Sequence, residues 1–395
     1  MTHPATRTAS PPAAALRRAA PALLGYAAVR ALGLLTLALF AQARGKSAYT
    51  LLTGRWDSLW YTRVAELGYG YEVRLPNGDV HSNLAFFPLL PWLERLLHAV
   101  TPLSYAGAGL AVSLLASLAA AWGIFAVAEE VYGRRAGVCA VLLWAVLPVG
   151  IVQSMAYSES LFTALAAWSL YAVLTGRWLT AGLLAALAGL TRPVGLAVVA
   201  AVWTAAIASF GRTRSETLPQ GARTEERAPS RARRALAMLI APLGAAGYVL
   251  WVGRHTGRGP LGYLDVQAGW RNGFDGGYAF ARFVADKFTS FPSALAGFGL
   301  VVGVGLVIWL YVVGVRQRQP LPLLVYTGVV TALALCASSY FGSKPRLLLP
   351  AFPLLLPLAL ALARLRTSRS ALVTGGVAVL SAVYGAFWLN GSGPP

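Results

Sequence analysis

The sequence predicts an all-α polytopic membrane protein, on three observations. Only 12% of its 395 residues are charged, 57% are hydrophobic, and the mean hydropathy is +0.61. Soluble globular domains are about one quarter charged, so this balance places most of the chain in lipid. Apolar runs of span character follow one another to the C-terminus, and the arginines fall in alternate loops between them. A formal charge of +19 would suggest nucleic acid for a soluble protein. Here basic inner loops account for it, and no nucleic-acid partner is expected.

In chain order, residues 1–21 are basic and rich in Pro, Ala and Ser, and read as a disordered cytoplasmic leader. The run 22–42 is too long for a cleaved signal core and is taken as a first span. Ten more runs follow: 105–128, 136–152, 159–175, 178–191, 193–210, 235–253, 294–315, 320–338, 347–363 and 370–389. The stretch 178–210 is divided at Thr191-Arg192-Pro193, because proline removes a donor and disfavours helix just before it. About eleven spans with the N-terminus inside put Arg134/Arg135, Arg177, Arg316/Arg318 and Arg364/Arg366/Arg369 on the inner side, and the C-terminus outside. The inner loop 211–234 carries seven arginines against three glutamates and almost no apolar residues, the composition of a flexible linker. One transmembrane domain, 22–390, is expected, with a short tail at 391–395. Cys139 and Cys336 lie in apolar runs without a His or Cys partner nearby and read as small hydrophobes.

Two long loops, 43–104 and 254–293, remain outside, and function concentrates in such segments. WDSLWYTRVAELGY (56–69) has helical spacing with Asp57 at the N-cap, and its aromatics suit a helix lying on the outer leaflet. HSNLAFFPLLPWLERLLHAV (81–100) is too broken and charged for a span and reads as a second interfacial helix. Asp79, in PNGD, reads as a turn residue. Costly charges gather at the outer edge: Glu159 opens a span, Arg192 sits at a break, Lys344 and Arg346 flank another span, and Arg271 lies on the second loop. Cations above a membrane bundle suit a lipid-linked phosphate whose tail stays in the bilayer. Each residue has a plainer use as well. Glu159 could cap its helix or pair with Arg192, Lys344 and Arg346 could anchor to headgroups, and His81 and Asn83 could shape their loop.

RWDSLWY, ELGYGYE, HSNLAFFPLLP, YSESLF, TRPVG and PRLLLPAFP occur in this order over residues 55–353. As an ordered set they resemble the PIG-V family, the GPI mannosyltransferase 2 type of membrane enzyme and its bacterial relatives. The resemblance implies a GT-C glycosyltransferase fold with its active site on the outer side, and a polyprenyl-phosphate sugar donor, most simply polyprenyl-phosphate mannose. It implies that an acid in the first external loop is the catalytic base, and Asp57 occupies the matching WD position. Two departures matter. VRLPNGDV separates ELGYGYE from HSNLAFF, and the Ala/Gly/Arg-rich composition resembles that of an actinobacterial-type, high-GC bacterium, where no GPI acceptor is expected.

On that reading, Asp57 takes the proton of an acceptor hydroxyl in a single inverting displacement. Lys344 and Arg346, with Arg271 and Arg192 behind them, hold the donor phosphate, and Trp56, His81, Asn83 and Glu159 contact substrate. Transfer without metal or other cofactor is expected, because cations can stabilise the leaving phosphate and no Asp/His cluster has metal-ligand spacing. The expected partners are the polyprenyl-phosphate donor, a lipid or glycan acceptor of the cell envelope, and membrane lipids. The expected location is the cell membrane. A lipid-linked sugar transporter or flippase, which would usually show repeated halves and mid-bilayer polar groups, and a non-catalytic membrane subunit are the rival readings.

Overall fold

Proline and glycine punctuate this chain into helices, and the structure, a computed structural model, describes residues 12–215 and 231–391. Helix α1 (Pro12–Ala43) already begins at Pro12, so the stretch read as a leader is helical before residue 22. Residues 1–11 and most of the 211–234 linker lie outside the described residues.

The segment after α1 holds α2 (Ala48–Thr53), α3 (Asp57–Leu67) and α4 (Leu89–Val100). The last two are helices where helices were expected. Between them VRLPNGDV folds back as an antiparallel hairpin, β1 (Glu72–Arg74) and β2 (Val80–Ser82), that the sequence reading missed. Asp79 sits in its turn, where the Asn77 side chain accepts from the Asp79 amide.

The bundle follows. Helix α5 (Tyr105–Tyr132) runs through its middle, α6 (Arg134–Ala145) returns, and α7 (Glu159–Leu174) lies along α5. The buried face of α5 is mostly Ala, Gly and Ser, which lets helices approach closely. A Cβ at Gly123 would stand 2.9 Å from that of Ala167 on α7. Helices α8 (Trp178–Gly189) and α9 (Leu196–Ser215) are separated at Arg192-Pro193, as expected. Then come α10 (Arg231–Ile240) and α11 (Leu243–His255). The second outer loop contains α12 (Gly262–Gly269) and α13 (Tyr278–Asp286), neither of them anticipated. Helices α14 (Ser293–Arg316), α15 (Leu321–Cys336), the single turn α16 (Lys344–Leu347), α17 (Leu356–Arg364) and α18 (Thr367–Leu389) complete the fold.

Among the described residues, six helices are long and apolar enough to cross a membrane, and seven if the pair Phe341–Leu347 and Phe352–Arg364, bent by 76°, counts as one span. Eleven crossings require shorter helices to span as well. At 1.5 Å per residue, the 12-residue α8 reaches about 18 Å of a core about 30 Å thick.

The two ends of the bundle differ. At one end Arg18 pairs with Glu129 at 2.7 Å, Arg134 donates to the Arg18 carbonyl, and Arg135 donates to the Leu365 carbonyl. At the other, the α18 C-terminus accepts bonds from Lys46 and Arg55 of the first outer loop. Arg30, buried within α1, binds the Ala145 and Gly150 carbonyls and so ties α1 to the end of α6.

Candidate active site

Four charged side chains from four segments meet near the N-terminal end of α7. Asp57 Oδ2 is 2.9 Å from Arg346 Nη1, Arg346 Nε is 3.3 Å from Glu159 Oε1, and the same Oε1 is 2.5 Å from Arg192 Nη1. Two cations and two carboxylates balance. Their exposure does not: Glu159 is 1% exposed, Arg346 9% and Arg192 14%, whereas Asp57 keeps 26% of its side chain accessible.

Local sequence explains each position. Residue 192 precedes proline, which excludes helix; its extended backbone (φ −160°, ψ 154°) carries the guanidinium across the gap between α8 and α9. Glu159 is the first residue of α7, whose N-cap is Ser158, and of the two plainer uses foreseen for it the pairing with Arg192 is the one the structure shows. Arg346 lies on α16, whose Pro345 stands in the first turn. Asp57 is the first helical residue of α3, and Trp56, not Asp57, holds the N-cap. The capping role expected for Asp57 is therefore corrected: its carboxylate faces Arg346 in an ion pair. The turn before it is held by Ser58, whose hydroxyl accepts from the Arg55 amide and donates to the Arg55 carbonyl. A bond from the Ala156 amide to the Leu52 carbonyl ties this loop to the start of α7.

The cluster borders a cavity of about 170 Å³ lined by Asp57, Tyr61, Arg192 and Arg346 on one side, and by Gln267, Trp270, Asn272, Ser339 and Tyr340 of the later outer segments. Tyr61, one turn beyond Asp57, shares a hydrogen bond with Ser158 at 2.7 Å, and Arg192 donates to the same Ser158 hydroxyl. Burial pushes the Tyr340 phenol up to about 12, so it stays a neutral donor. Among the described residues, four non-glycine positions have positive φ: Trp56 (49°), Arg271 (52°), Tyr340 (52°) and Arg318. The first three flank or line this cavity. That backbone costs an L-residue about 1–2 kcal/mol, and such strain concentrates at functional sites.

Other expected site residues go elsewhere. Lys344 donates to the carbonyls of Ala334, Leu335 and Ala337, at 2.8, 3.2 and 2.9 Å. It caps the end of α15, so all three of its protons serve the fold and the phosphate role expected for it is corrected. Asn83 is fully buried, accepting from the Gly70 amide and donating to the Gly68 carbonyl, and so shapes the loop instead of touching substrate. Arg271 turns away from the cluster to Asp79, at 2.6 Å. His81 stacks on Trp270 with ring centroids 4.0 Å apart, and burial there holds its imidazole below the usual range against the pull of Asp79. Trp56 carries the Arg55 guanidinium over its ring at 4.0 Å. Sequence reasoning missed Tyr61, Gln267, Trp270, Asn272 and Tyr340. Tyr61 was visible inside RWDSLWY; the others sit in loop sequence whose placement only the fold decides. Among the described residues, no group of three or more His, Cys, Asp or Glu side chains is placed to hold a metal ion.

A second, larger recess of about 760 Å³ lies next to this cavity. Leu183 and Leu187 of α8 and Leu190 just beyond it line it with Leu243 and Trp251 of α11 and Trp92 of α4. A Cβ on Gly244 would meet the Ala186 carbonyl at 1.8 Å, so glycine lets α11 close the groove against α8. Phe87 lines the cavity and Tyr248 the groove, and their rings touch at 4.4 Å.

A family model described as dolichyl-phosphate-mannose-protein mannosyltransferase matches residues 83–221, about a third of the chain. That segment includes Glu159 and Arg192. No curated protein matches in sequence. Among solved structures, the chain resembles ArnT from Cupriavidus metallidurans bound to undecaprenyl phosphate, at 15% identity and a TM-score of 0.50, over 89% of this chain and 61% of that one. It also resembles the archaeal oligosaccharyltransferase AglB from Archaeoglobus fulgidus in complex with an inhibitory peptide and a dolichol-phosphate. There the identity is 12% and the TM-score 0.47, over 94% of this chain and 56% of that one. The chain thus spans about three fifths of the length of the structures it resembles. In fold, it is a helical membrane bundle of the ArnT kind.

Proposed function

We propose that the chain is a membrane glycosyltransferase of the GT-C class and PIG-V type. It moves a mannosyl residue from polyprenyl-phosphate mannose to a hydroxyl of a cell-envelope acceptor, on the outer face of the cell membrane and with inversion. The observation that carries this reading is Asp57, the most accessible member of a buried four-charge cluster, at the mouth of a cavity lined by both guanidiniums. In the reaction, the acceptor oxygen attacks the anomeric carbon. The bond from that carbon to the phosphate oxygen breaks, the electron pair leaves with polyprenyl phosphate, and the acceptor proton passes to the Asp57 carboxylate.

Each guanidinium has five donors. The contacts described above engage two nitrogens on Arg346 and one on Arg192, leaving donors on both for a phosphate. Two fixed cations in a water-poor site stabilise the charge that develops on the leaving group, so transfer is read as metal-independent. Glu159 holds both arginines in place as a positioning residue. The adjoining groove between α8 and α11 is apolar and meets the cavity where Tyr248 touches Phe87, which suits it to a polyprenyl tail.

The test uses membranes given radiolabelled polyprenyl-phosphate mannose. Asp57→Asn and Asp57→Ala should abolish mannoside formation at normal protein levels, a loss of about 100-fold or more for a general base. Wild-type transfer by both variants would remove Asp57 as base, and sugar release without a mannoside product would count against a transferase.

A further inference from the structure

The segments 267–275 and 336–343, which line the cavity with Gln267, Trp270, Asn272, Ser339 and Tyr340, have no part in the displacement just described. The two segments are joined by an isolated bridge between Phe274 and Ala337. Bonds from the Asp275 amide to the Cys336 carbonyl (3.2 Å) and from the Ser338 amide to the Gly273 carbonyl (3.0 Å) reinforce it.

A directed relay of hydrogen bonds leads out of this wall. Tyr263 is 4% exposed, and burial raises its phenol, which stays protonated and donates to the Ala85 carbonyl. Its oxygen accepts from Gln267 Nε2 at 2.5 Å, which turns Gln267 Oε1 toward Asn272, where it accepts from Nδ2 at 2.8 Å. Each step fixes the amide orientation of the next. Asn272 therefore offers Oδ1 as an acceptor, with the Ser339 hydroxyl at 3.5 Å, the outer limit of a hydrogen bond. Trp270, two residues earlier, lines the same cavity. Its ring is held by stacking on His81, and its N–H is bonded to the Ser82 carbonyl at 3.0 Å. Arg271 between them adopts a positive φ and is tethered outward by Asp79.

An acceptor atom repels a phosphate, which has only acceptors to offer, and attracts a hydroxyl. An aromatic face beside it suits the apolar face of a sugar ring. The cavity, at about 170 Å³, far exceeds the ~10–15 Å³ that one water needs. We propose that Asn272, oriented by Gln267 and Tyr263, forms with Trp270 the subsite that binds a hexose ring, with Asn272 Oδ1 accepting from a ring hydroxyl and helping to decide which hexose is taken. This rests on the transferase reading and adds the sugar-recognising residues to it. The ring belongs to the donor or to a glycan acceptor, and the test separates the two.

The full chain carrying Asp57→Asn, which prevents turnover, is titrated calorimetrically with three probes: polyprenyl phosphate, polyprenyl-phosphate mannose and octyl mannoside. Asn272→Ala in that background should leave polyprenyl phosphate affinity unchanged. It should weaken either the mannosyl donor or octyl mannoside by about tenfold, the effect of one lost hydrogen bond; the probe affected identifies the source of the ring. Asn272→Asp, which keeps an acceptor oxygen, should retain most of the sugar-dependent affinity. Asn77→Ala, which removes an amide from the exposed hairpin turn, should retain all of it. Equal weakening of all three probes, or no change in any, overturns the subsite. Failure of the transferase reading registers separately, as sugar release without a mannoside product in the membrane assay, and leaves these binding differences intact.

Discussion

A carboxylate that is to accept a proton has to stay within reach of substrate while its charge is balanced. Asp57 meets both conditions, because its partner Arg346 is buried and it is not. Arg346 is the hinge of the cluster: its guanidinium spans Asp57 and Glu159 from different nitrogens. Lysine brings one point charge and cannot span both carboxylates in the same way. Arg346→Ala leaves Glu159 buried with one cation and should cost about 3–5 kcal/mol of stability, whereas Asp57→Asn leaves Arg346 on Glu159 and should cost much less. Thermal unfolding of the purified variants checks this order, and an Arg346→Ala protein as stable as Asp57→Asn would show that the pair does not hold the site together. Arg346→Lys should fold better than Arg346→Ala and still transfer poorly. Glu159, Arg192 and Arg346 were legible as membrane-edge charges, and Asp57 through the WD motif. The destiny of Lys344 was not, because a sequence shows a cation but not the three carbonyls at the end of α15 that require one. For Asn83 both uses were open in the sequence, and its backbone partners, such as the Gly68 carbonyl fifteen residues away, favour the loop-shaping one.

At the scale of elements, α4 carries an unusual burden. Glu94 is fully buried against α5, and among the described residues neither of its carboxylate oxygens has a hydrogen-bond partner. Helix α5 makes room for it with glycine, since a Cβ at Gly109 would lie 2.5 Å from Glu94 Oε1. Burial raises the Glu94 carboxyl well above its ordinary value of 4.5. The folded state then holds a proton that the unfolded chain has released, so stability is greatest below about 4.5 and falls as pH rises toward the folded value, by at most about 1.4 kcal/mol per pH unit. Glu94→Gln should remove that part of the decline. Melting temperatures of both proteins across roughly pH 5 to 8 test it, and parallel curves would mean that Glu94 is not buried as a neutral acid. The helix break at Pro193 was legible, whereas those beside Pro148, Pro242 and Pro350 fall inside runs read as single spans. The hairpin and α12 were not legible: VRLPNGDV carries a turn signal but strands of only three residues, and α12 is two turns in glycine-rich sequence, both below the length at which periodicity speaks.

At the scale of the whole molecule, the orientation follows from two unlike ends. The cavity lies where α7 begins, while Arg18, Glu129, Arg134 and the Leu365 carbonyl meet where α5 ends and α6 begins. Span positions were legible because long apolar runs need no tertiary information. The number of crossings was less so, because α6, α8 and α15 are short and their role depends on how neighbours carry them through the bilayer. If basic loops stay inside, the hairpin turn at Asn77 faces outward and the start of α18 at Ser368 faces inward. Single cysteines at these exposed positions, in a chain whose Cys139 and Cys336 are replaced by alanine, make this measurable. A membrane-impermeant maleimide should label Asn77→Cys in intact cells and Ser368→Cys only after permeabilisation. The reverse pattern would put the cavity on the cytoplasmic side, where the donor would have to be presented from the inner leaflet. Labelling of both in intact cells would mean an even number of crossings between them, against the odd number that eleven spans with an outer C-terminus require.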